Sequence, residues 1–219
     1  REALKALYTE LEFSGLLATL DATALPAVEE DEAPPAPPIA TRYHTVTTQS
    51  AYDALLKRLT EARAFAFDTE TTSLNYREAR IVGFSVSLEV GEAYYVPLAH
   101  DYLGVPEQLD RDSALAAIQP ILENEHIGKI GQHLKYDTHV LANHGITLRG
   151  VVFDTMLASY VLDATATRHN MDDLAKHYLN YQTTTFEEIA GKGVKQLSFN
   201  QMELEPASAY ACEDADITL

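Results

Sequence analysis

The sequence has a single cysteine, Cys212, so no intramolecular disulfide can form, and this fits a reducing compartment. It has no apolar run near the length of about 18 residues that a membrane-spanning helix needs. Its first residues, Arg1 through Leu7, lack the apolar stretch of a signal peptide. Positive charge is scarce: 16 Lys and Arg stand against 33 Asp and Glu, a formal net charge of −17. A duplex binder that works by bulk charge is usually basic, which argues against that class. Two readings of the acidity stay open. One is a solvated acidic surface; the other is a set of carboxylates that hold divalent cations, which then meet phosphate.

With 46% hydrophobic residues, the chain can bury a sizeable core. Residues 26–40 cannot contribute to it. Four consecutive acids and five prolines make an extended or disordered linker, and 21–40 is assigned to it as a whole. Ahead of it, Leu4, Leu7, Leu11, Leu16 and Leu17 predict a short helix over about 1–12. The main domain begins near Thr41. Residues 42–47 suit a strand, and Ser50 is expected to cap a helix that runs to Glu61. Residues 64–67 are apolar on both faces, as in a central strand. Residues 80–88 alternate, with Ser85 and Ser87 on the polar side, and a turn at 90–92 leads into a strand at 93–97. Helices are expected at 112–123, 133–143, 155–163 and 171–179, with a strand at 127–131. Residues 180–202 read as a loop, and a last helix as starting near Pro206. Three strands in a meander followed by alternating helix and strand define an α/β domain: a mixed sheet flanked by helices.

Four acids come from three separated segments, and two of them are oddly placed. Asp68 and Glu70 follow directly on the apolar strand. Positions two apart in an extended chain face the same way, so the two carboxylates point together. The pair either runs out into a solvated turn or shares a cation. Asp137 falls on the helical stripe marked by Leu134, Val140 and Leu141, where a carboxylate needs a partner. A salt bridge to a nearby Lys or Arg is the alternative, but Lys135 points elsewhere on that helix. Tyr210 and Asp214 are four apart on the last helix, beside a small-residue face of Ala207, Ala211, Ala215 and Thr218. Glu213 and Asp216 of that helix are expected to be exposed. Hard cations such as Mg²⁺ and Mn²⁺ take oxygen ligands, and two of them can clamp the oxygens of a phosphodiester.

These residues resemble a known family. Phe67-Asp68-Thr69-Glu70-Thr71 resembles the first motif of the DEDD exonucleases. Residues 131–137, Gly-Gln-His-Leu-Lys-Tyr-Asp, resemble the second, and 210–216, Tyr-Ala-Cys-Glu-Asp-Ala-Asp, the third in its Tyr-containing form. Stretches at 95–102, 148–150, 153–157, 185–193 and 197–200 are similar, more narrowly, to the proofreading domain of bacterial DNA polymerase I. The likeness spans 41–219, and residues 1–20 resemble the end of the 5′ nuclease domain that precedes it in such polymerases. The resemblance implies a ribonuclease H-like fold in a cytoplasmic, monomeric bacterial enzyme. It implies two divalent cations, Mg²⁺ or Mn²⁺: Asp68 bridges both, Glu70 and Asp214 complete one site, and Asp137 holds the second. It implies that Tyr210 orients the attacking water and that a 5′-nucleoside monophosphate leaves a single-stranded DNA 3′ end. Leu74 and Phe199 match positions that wedge against or stack on terminal bases. Gln132 and Arg168 match strand-contacting positions, and Thr71 and His133 join them as substrate contacts.

One departure is His133, where the family usually has Asn. It could hydrogen-bond substrate, pair with Asp137 or capture a softer metal. Asp154 is expected to cap a helix rather than ligate, Asp172 and Asp173 to sit in a first helical turn, and Lys192 and Lys195 to touch phosphate or lie on a surface loop. Two other functions compete: RNA trimming of the ribonuclease D or T kind, and a non-catalytic module that braces a polymerase. The C-terminal polymerase domain of such enzymes is absent from the sequence, which stops inside the last helix. The chain is therefore expected to be a fragment, with weaker activity than the whole protein.

Overall fold

The computed structural model describes residues 2–22 and 40–219. The acidic, proline-rich stretch lies outside the described residues apart from its ends. The chain divides into two compact units, residues 1–35 and 36–219.

The first unit holds two helices where the leucine pattern predicts one: α1 (Glu2–Glu10) and α2 (Ser14–Ala22). The break is at Glu12, whose φ of 55° is left-handed and cannot continue a right-handed helix. Phe13 then closes the turn, donating its N–H to the Tyr8 carbonyl at 2.9 Å. Leu4, Leu7, Leu11, Phe13 and Leu16 all remain about half exposed.

The second unit is built on a six-stranded sheet in the order β1-β4-β3-β2-β5-β6. Strands β2 (Ala64–Thr71), β3 (Ile81–Glu89) and β4 (Glu92–Pro97) form the antiparallel meander expected from the pattern. Edge strand β1 (Arg42–Thr45) joins β4 in parallel, and β5 (Gly128–Gly131) and β6 (Val151–Asp154) add in parallel beyond β2. The sheet is therefore mixed. Strand β6 escaped the sequence reading because it has only four residues, and on a sheet edge its valines and Phe153 stay exposed.

Phe65 and Phe67 point to one face of the sheet, where Tyr52, Leu55, Leu59, Ile118, Leu122, Leu134, Val140 and Leu141 complete the main core. These come from α3 (Gln49–Glu61), α4 (Arg111–Leu122) and α5 (Leu134–Asn143). Helix α3 is capped by Thr48, not Ser50: the Thr48 hydroxyl accepts from the Ala51 N–H. Helices α6 (Thr155–Leu162) and α7 (Met171–Leu179) follow as expected. Residues 180–202 are more ordered than a loop. They contain α8 (Phe186–Ala190) and two 3₁₀ turns, at Gly193–Lys195 and Phe199–Gln201. The signal was present in the sequence, since Thr185 and Glu188 form a capping box.

Helix α9 (Leu204–Thr218) covers the other face. It starts two residues before Pro206, which sits third and not first. Ala207, Ala211, Cys212 and Ala215 are fully buried against Val82, Ala93 and Tyr95. Small side chains let this helix lie close to the strands, and it buries both faces of β3. Ser85 and Ser87, read as the solvated side of an alternating strand, are consequently 0% exposed. Ser87 donates to the Glu92 carbonyl at 2.9 Å, whereas the Ser85 hydroxyl has no partner. Close approach also buries Glu213 and Asp216, which correct the expectation of exposed acids. The Glu213 carboxylate accepts from the Tyr181 hydroxyl and the Thr184 N–H, both at 2.7 Å. That of Asp216 accepts from the Tyr43 hydroxyl at 2.9 Å and the Gly91 N–H at 2.7 Å.

Candidate active site

The end of β2 carries functional groups on both of its sides. Asp68 and Glu70 face α9, while Thr69 between them faces α5, as strand alternation requires. Helix α9 brings Asp214 to the first pair. Carboxylate oxygens of Asp68, Glu70 and Asp214 lie within 4.8 Å of one another. Helix α5 brings Asp137 to the other side, where it is 2% exposed and accepts from the Thr69 N–H at 3.1 Å and the Thr69 hydroxyl at 2.5 Å. The partner that the helix pattern demanded is thus a hydroxyl and an amide, not a cation.

Helix α5 is aimed by Asp154. Its carboxylate caps α6 at the Leu157 N–H (3.0 Å) and also accepts from the Leu134 N–H at the start of α5 (2.8 Å) and the His133 N–H (3.3 Å). Asp154 is therefore a cap, as expected, but for two helices at once. Asp172 and Asp173 likewise occupy the first turn of α7.

Among the described residues, no Lys or Arg stands beside the four acids to balance them. Burial foremost, then the charges of Asp137 and Asp214, raise the Asp68 carboxyl well above its ordinary range. Glu70 is raised by burial and then by Asp68, Asp214 and Asp137. Asp214 is raised by burial and by Glu213. Asp137 is pushed up to about 7 by burial, against the opposing hydrogen bonds from Thr69. Tyr210, which hydrogen-bonds Asp214, is raised by burial and by the surrounding carboxylates, so its phenol stays protonated. One Glu70 oxygen is buried without any hydrogen-bond partner. Converging hard oxygen donors, an orphaned carboxylate oxygen and uncompensated negative charge fit divalent cations such as Mg²⁺ or Mn²⁺.

The acids open into a cleft of ≈ 830 Å³ lined also by Thr71, Leu74, Gln132, His133, Tyr136, Phe186, Phe199 and Tyr210; no Lys or Arg lines it. Leu74 stands at its mouth, 94% exposed. Thr71 shares a hydrogen bond of 2.6 Å with the Tyr136 hydroxyl. The Gln132 amide donates to the His169 carbonyl at 2.9 Å and accepts from the Thr155 hydroxyl. His133 is not inside α5 but caps it with φ 60°, makes no side-chain capping bond, and does not pair with Asp137. Phe199 is only 3% exposed, packed among Tyr95, His100, Phe186 and Tyr210, so it stands more as a wall behind Tyr210 than as an open stacking platform. Arg168 is exposed and is not among the cleft's lining residues. Lys192 pairs with Glu187 at 2.7 Å.

Several supporting residues were not singled out from the sequence. Thr69 could have been, since it lies between two paired acids and must face the opposite way. Tyr136, Phe186 and the Tyr95–His100 pair, joined at 2.8 Å, lie inside the family-like stretches 131–137, 185–193 and 95–102, but no role was assigned to them. Gly83 lies opposite Glu70 in the β2–β3 register, and a Cβ there would collide with the Tyr95 ring.

Residues 43–219 match a 3′-5′ exonuclease family. Over 221 residues the chain is 56% identical to DNA polymerase I of Pseudomonas aeruginosa, an alignment covering 100% of this chain and 24% of that protein. The chain thus spans about a quarter of the length of this relative. Among solved structures, Brucella melitensis NrnC with bound Mg²⁺ matches with a TM-score of 0.54 at 21% identity, covering 82% of this chain and 77% of that one. The catalytic core of RRP6 from Trypanosoma brucei matches with a TM-score of 0.62 at 15% identity, over 90% of this chain and 50% of that one. At these identities the likeness concerns the fold, the expected ribonuclease H-like mixed sheet flanked by helices.

Proposed function

Because the chain belongs to the 3′-5′ exonuclease family carried by bacterial DNA polymerase I, we propose that its cleft hydrolyses the last phosphodiester of a single-stranded or frayed DNA 3′ end. The observation that carries this reading is the convergence of Asp68, Glu70 and Asp214 within 4.8 Å, with Asp137 beside them and no cation among the lining residues. We assign Asp68, Glu70, Asp137 and Asp214 as ligands for two divalent cations, Mg²⁺ or Mn²⁺. Bound there, such ions would supply Lewis-acid charge to the reacting phosphodiester.

The chain's own residues position the reactants. Water adds at the terminal phosphorus, the bond to the 3′ oxygen breaks, and the proton passes to that oxygen. The products are a nucleoside 5′-monophosphate and a strand one nucleotide shorter. Tyr210, held protonated beside Asp214, orients the water by hydrogen bonding. Leu74, projecting at the mouth, wedges between the last bases, and a single strand suits a cleft with no cation to grip a duplex. Phe199 backs Tyr210, and Thr71, Gln132 and His133 face the strand. Arg168 reaches it only from outside the cleft.

In a longer protein this activity would remove misincorporated ends for a C-terminal polymerase domain, behind an N-terminal 5′ nuclease domain. We place such a protein, as a monomer, in the bacterial cytoplasm. The test is release of mononucleotides from 3′-labelled single-stranded DNA with Mg²⁺ or Mn²⁺, with Asp68→Ala alongside. Stepwise shortening that needs metal and vanishes in the variant supports the reading. No shortening by folded wild type with either metal overturns it, and faster trimming of RNA than of DNA overturns the substrate.

A further inference from the structure

Beside the cleft, in a strongly acidic protein, lies a surface of the opposite sign. Residues 72–80 form a loop between β2 and β3, closed by two hydrogen bonds of 3.1 Å: the Thr72 N–H donates to the Arg80 carbonyl and the Arg80 N–H to the Thr72 hydroxyl. Buried Ala79 pins the loop, and Asn143 of α5 donates to the Tyr76 carbonyl at 2.6 Å. It is a fixed platform. Its outer side presents Arg77 and Arg80, and the adjoining outer side of α5 presents Lys135 and His139, all exposed. Tyr76 stacks on His139 with ring centroids 4.6 Å apart, and the Arg77 guanidinium lies 5.9 Å from the Tyr76 centroid. Among the described residues, none of Arg77, Arg80 and Lys135 makes an ion pair, although the sequence has twice as many acids as bases. The one acid in the loop is Glu78, and α5 carries none besides Asp137, which is turned into the cleft.

The platform is continuous with the cleft. Leu74 at the mouth belongs to the same loop, and three residues further Arg77 can lie no more than about 11 Å from it along the chain. Tyr136, between Lys135 and Asp137, ties loop to helix by donating to the Ser73 carbonyl at 2.5 Å.

Resting on the reading of the cleft as an exonuclease site, we propose that this loop and the outer face of α5 bind the single strand upstream of the 3′ end. Arg77, Arg80 and Lys135 contact phosphates, and the Tyr76–His139 stack carries a base. Stacking combined with backbone charge holds a strand without reading its sequence. It would also give the cleft the positive grip that its lining lacks, at a distance from the metal-ligating acids.

The test is binding of fluorescent oligothymidylates of increasing length, from a dinucleotide upward, to Asp68→Ala protein with Mg²⁺. Arg77→Gln/Arg80→Gln and Arg77→Lys/Arg80→Lys are made in the same background. Expected is an unchanged affinity for the dinucleotide and a roughly tenfold loss on long strands in the glutamine pair, on the scale of one lost stacking or charge contact. The salt dependence should fall by about 0.7 in log–log slope per lost phosphate contact, and the lysine pair should retain both. Equal loss on short and long strands, or no loss at all, overturns the proposal. Cleavage that persists in Asp68→Ala would instead sink the reading of the cleft. The length dependence, read through KM, then still judges the surface.

Discussion

Helix α9 carries three buried carboxylates within four residues, each about 8% exposed, and they could hardly differ more. Glu213 and Asp216 each accept two hydrogen bonds, from a tyrosine hydroxyl and a backbone amide. Such bonds to a charged group each contribute about 1.5–3 kcal/mol. Asp214, between them, turns to Asp68 and Glu70, and its one neutral donor is Tyr210. Burial by itself does not single out a working carboxylate, since all three share it. What separates Asp214 is that its neighbours are more acids and that the fold supplies too few donors. Stability has been forgone there, and a bound cation would restore it.

The comparison breaks most visibly at Asp68. Asp68→Ala should lower cleavage by about a thousandfold or more, the order expected when one transition-state contact is lost. It should also raise the melting temperature of metal-free protein, because one of the crowded charges is gone. A variant that lost activity and stability together would place Asp68 with the hydrogen-bonded acids instead. Asp216→Ala should do the reverse. It leaves the Tyr43 hydroxyl and the Gly91 N–H without an acceptor, at about 1–3 kcal/mol for each. Denaturant unfolding reads that loss, while cleavage by the folded fraction stays near wild type.

Proton linkage separates the two classes again, with a smaller effect. Asp137 has a folded pKa near 7, above its ordinary value of 3.8. A raised carboxyl contributes stability that is complete below the unfolded value and disappears as pH rises through the folded one. Metal-free protein should therefore melt lower at pH 8 than at pH 5, and saturating Mg²⁺ should flatten that slope. A metal-free melting curve that rises with pH across the window would show that the cleft acids are satisfied after all. Glu92 behaves oppositely. Arg58, hydrogen-bonded to it at 2.6 Å, lowers its pKa, so its contribution is present at neutral pH and fades in acid. Arg58 is 38% exposed, so Arg58→Gln should cost no more than about 1 kcal/mol at pH 7, and less at pH 3.

Spacing exposed the cleft acids because their oddity is local. Asp68 and Glu70 follow an apolar strand at period two, and Asp137 interrupts a helical stripe. Glu213 and Asp216 could not be sorted from Asp214 in that way. Their donors, Tyr181 and Tyr43, lie 32 and 173 residues away in the chain. Long-range pairing also hid β6, which takes its strand character from β5 rather than from its own four residues. Ser85 and Ser87 misled for a related reason. Alternation predicts a wet face, and only the small-residue helix lying over it makes that face dry. His133 shows the limit of register arguments: it was expected within the helix over 133–143, but its left-handed backbone takes it out of that helix.

Asp154 lends the molecule a mechanical property as well. It sits at the end of an edge strand, yet its carboxylate holds the first amides of α5, the helix that delivers Asp137. Edge strands fray at lower free energy than central ones. Local melting should therefore reach Asp137 first from the rim, through this rivet, while Asp68 and Glu70 on the central strand stay in place. On warming, the cleft would come apart asymmetrically, with one side of its acid set released before the other.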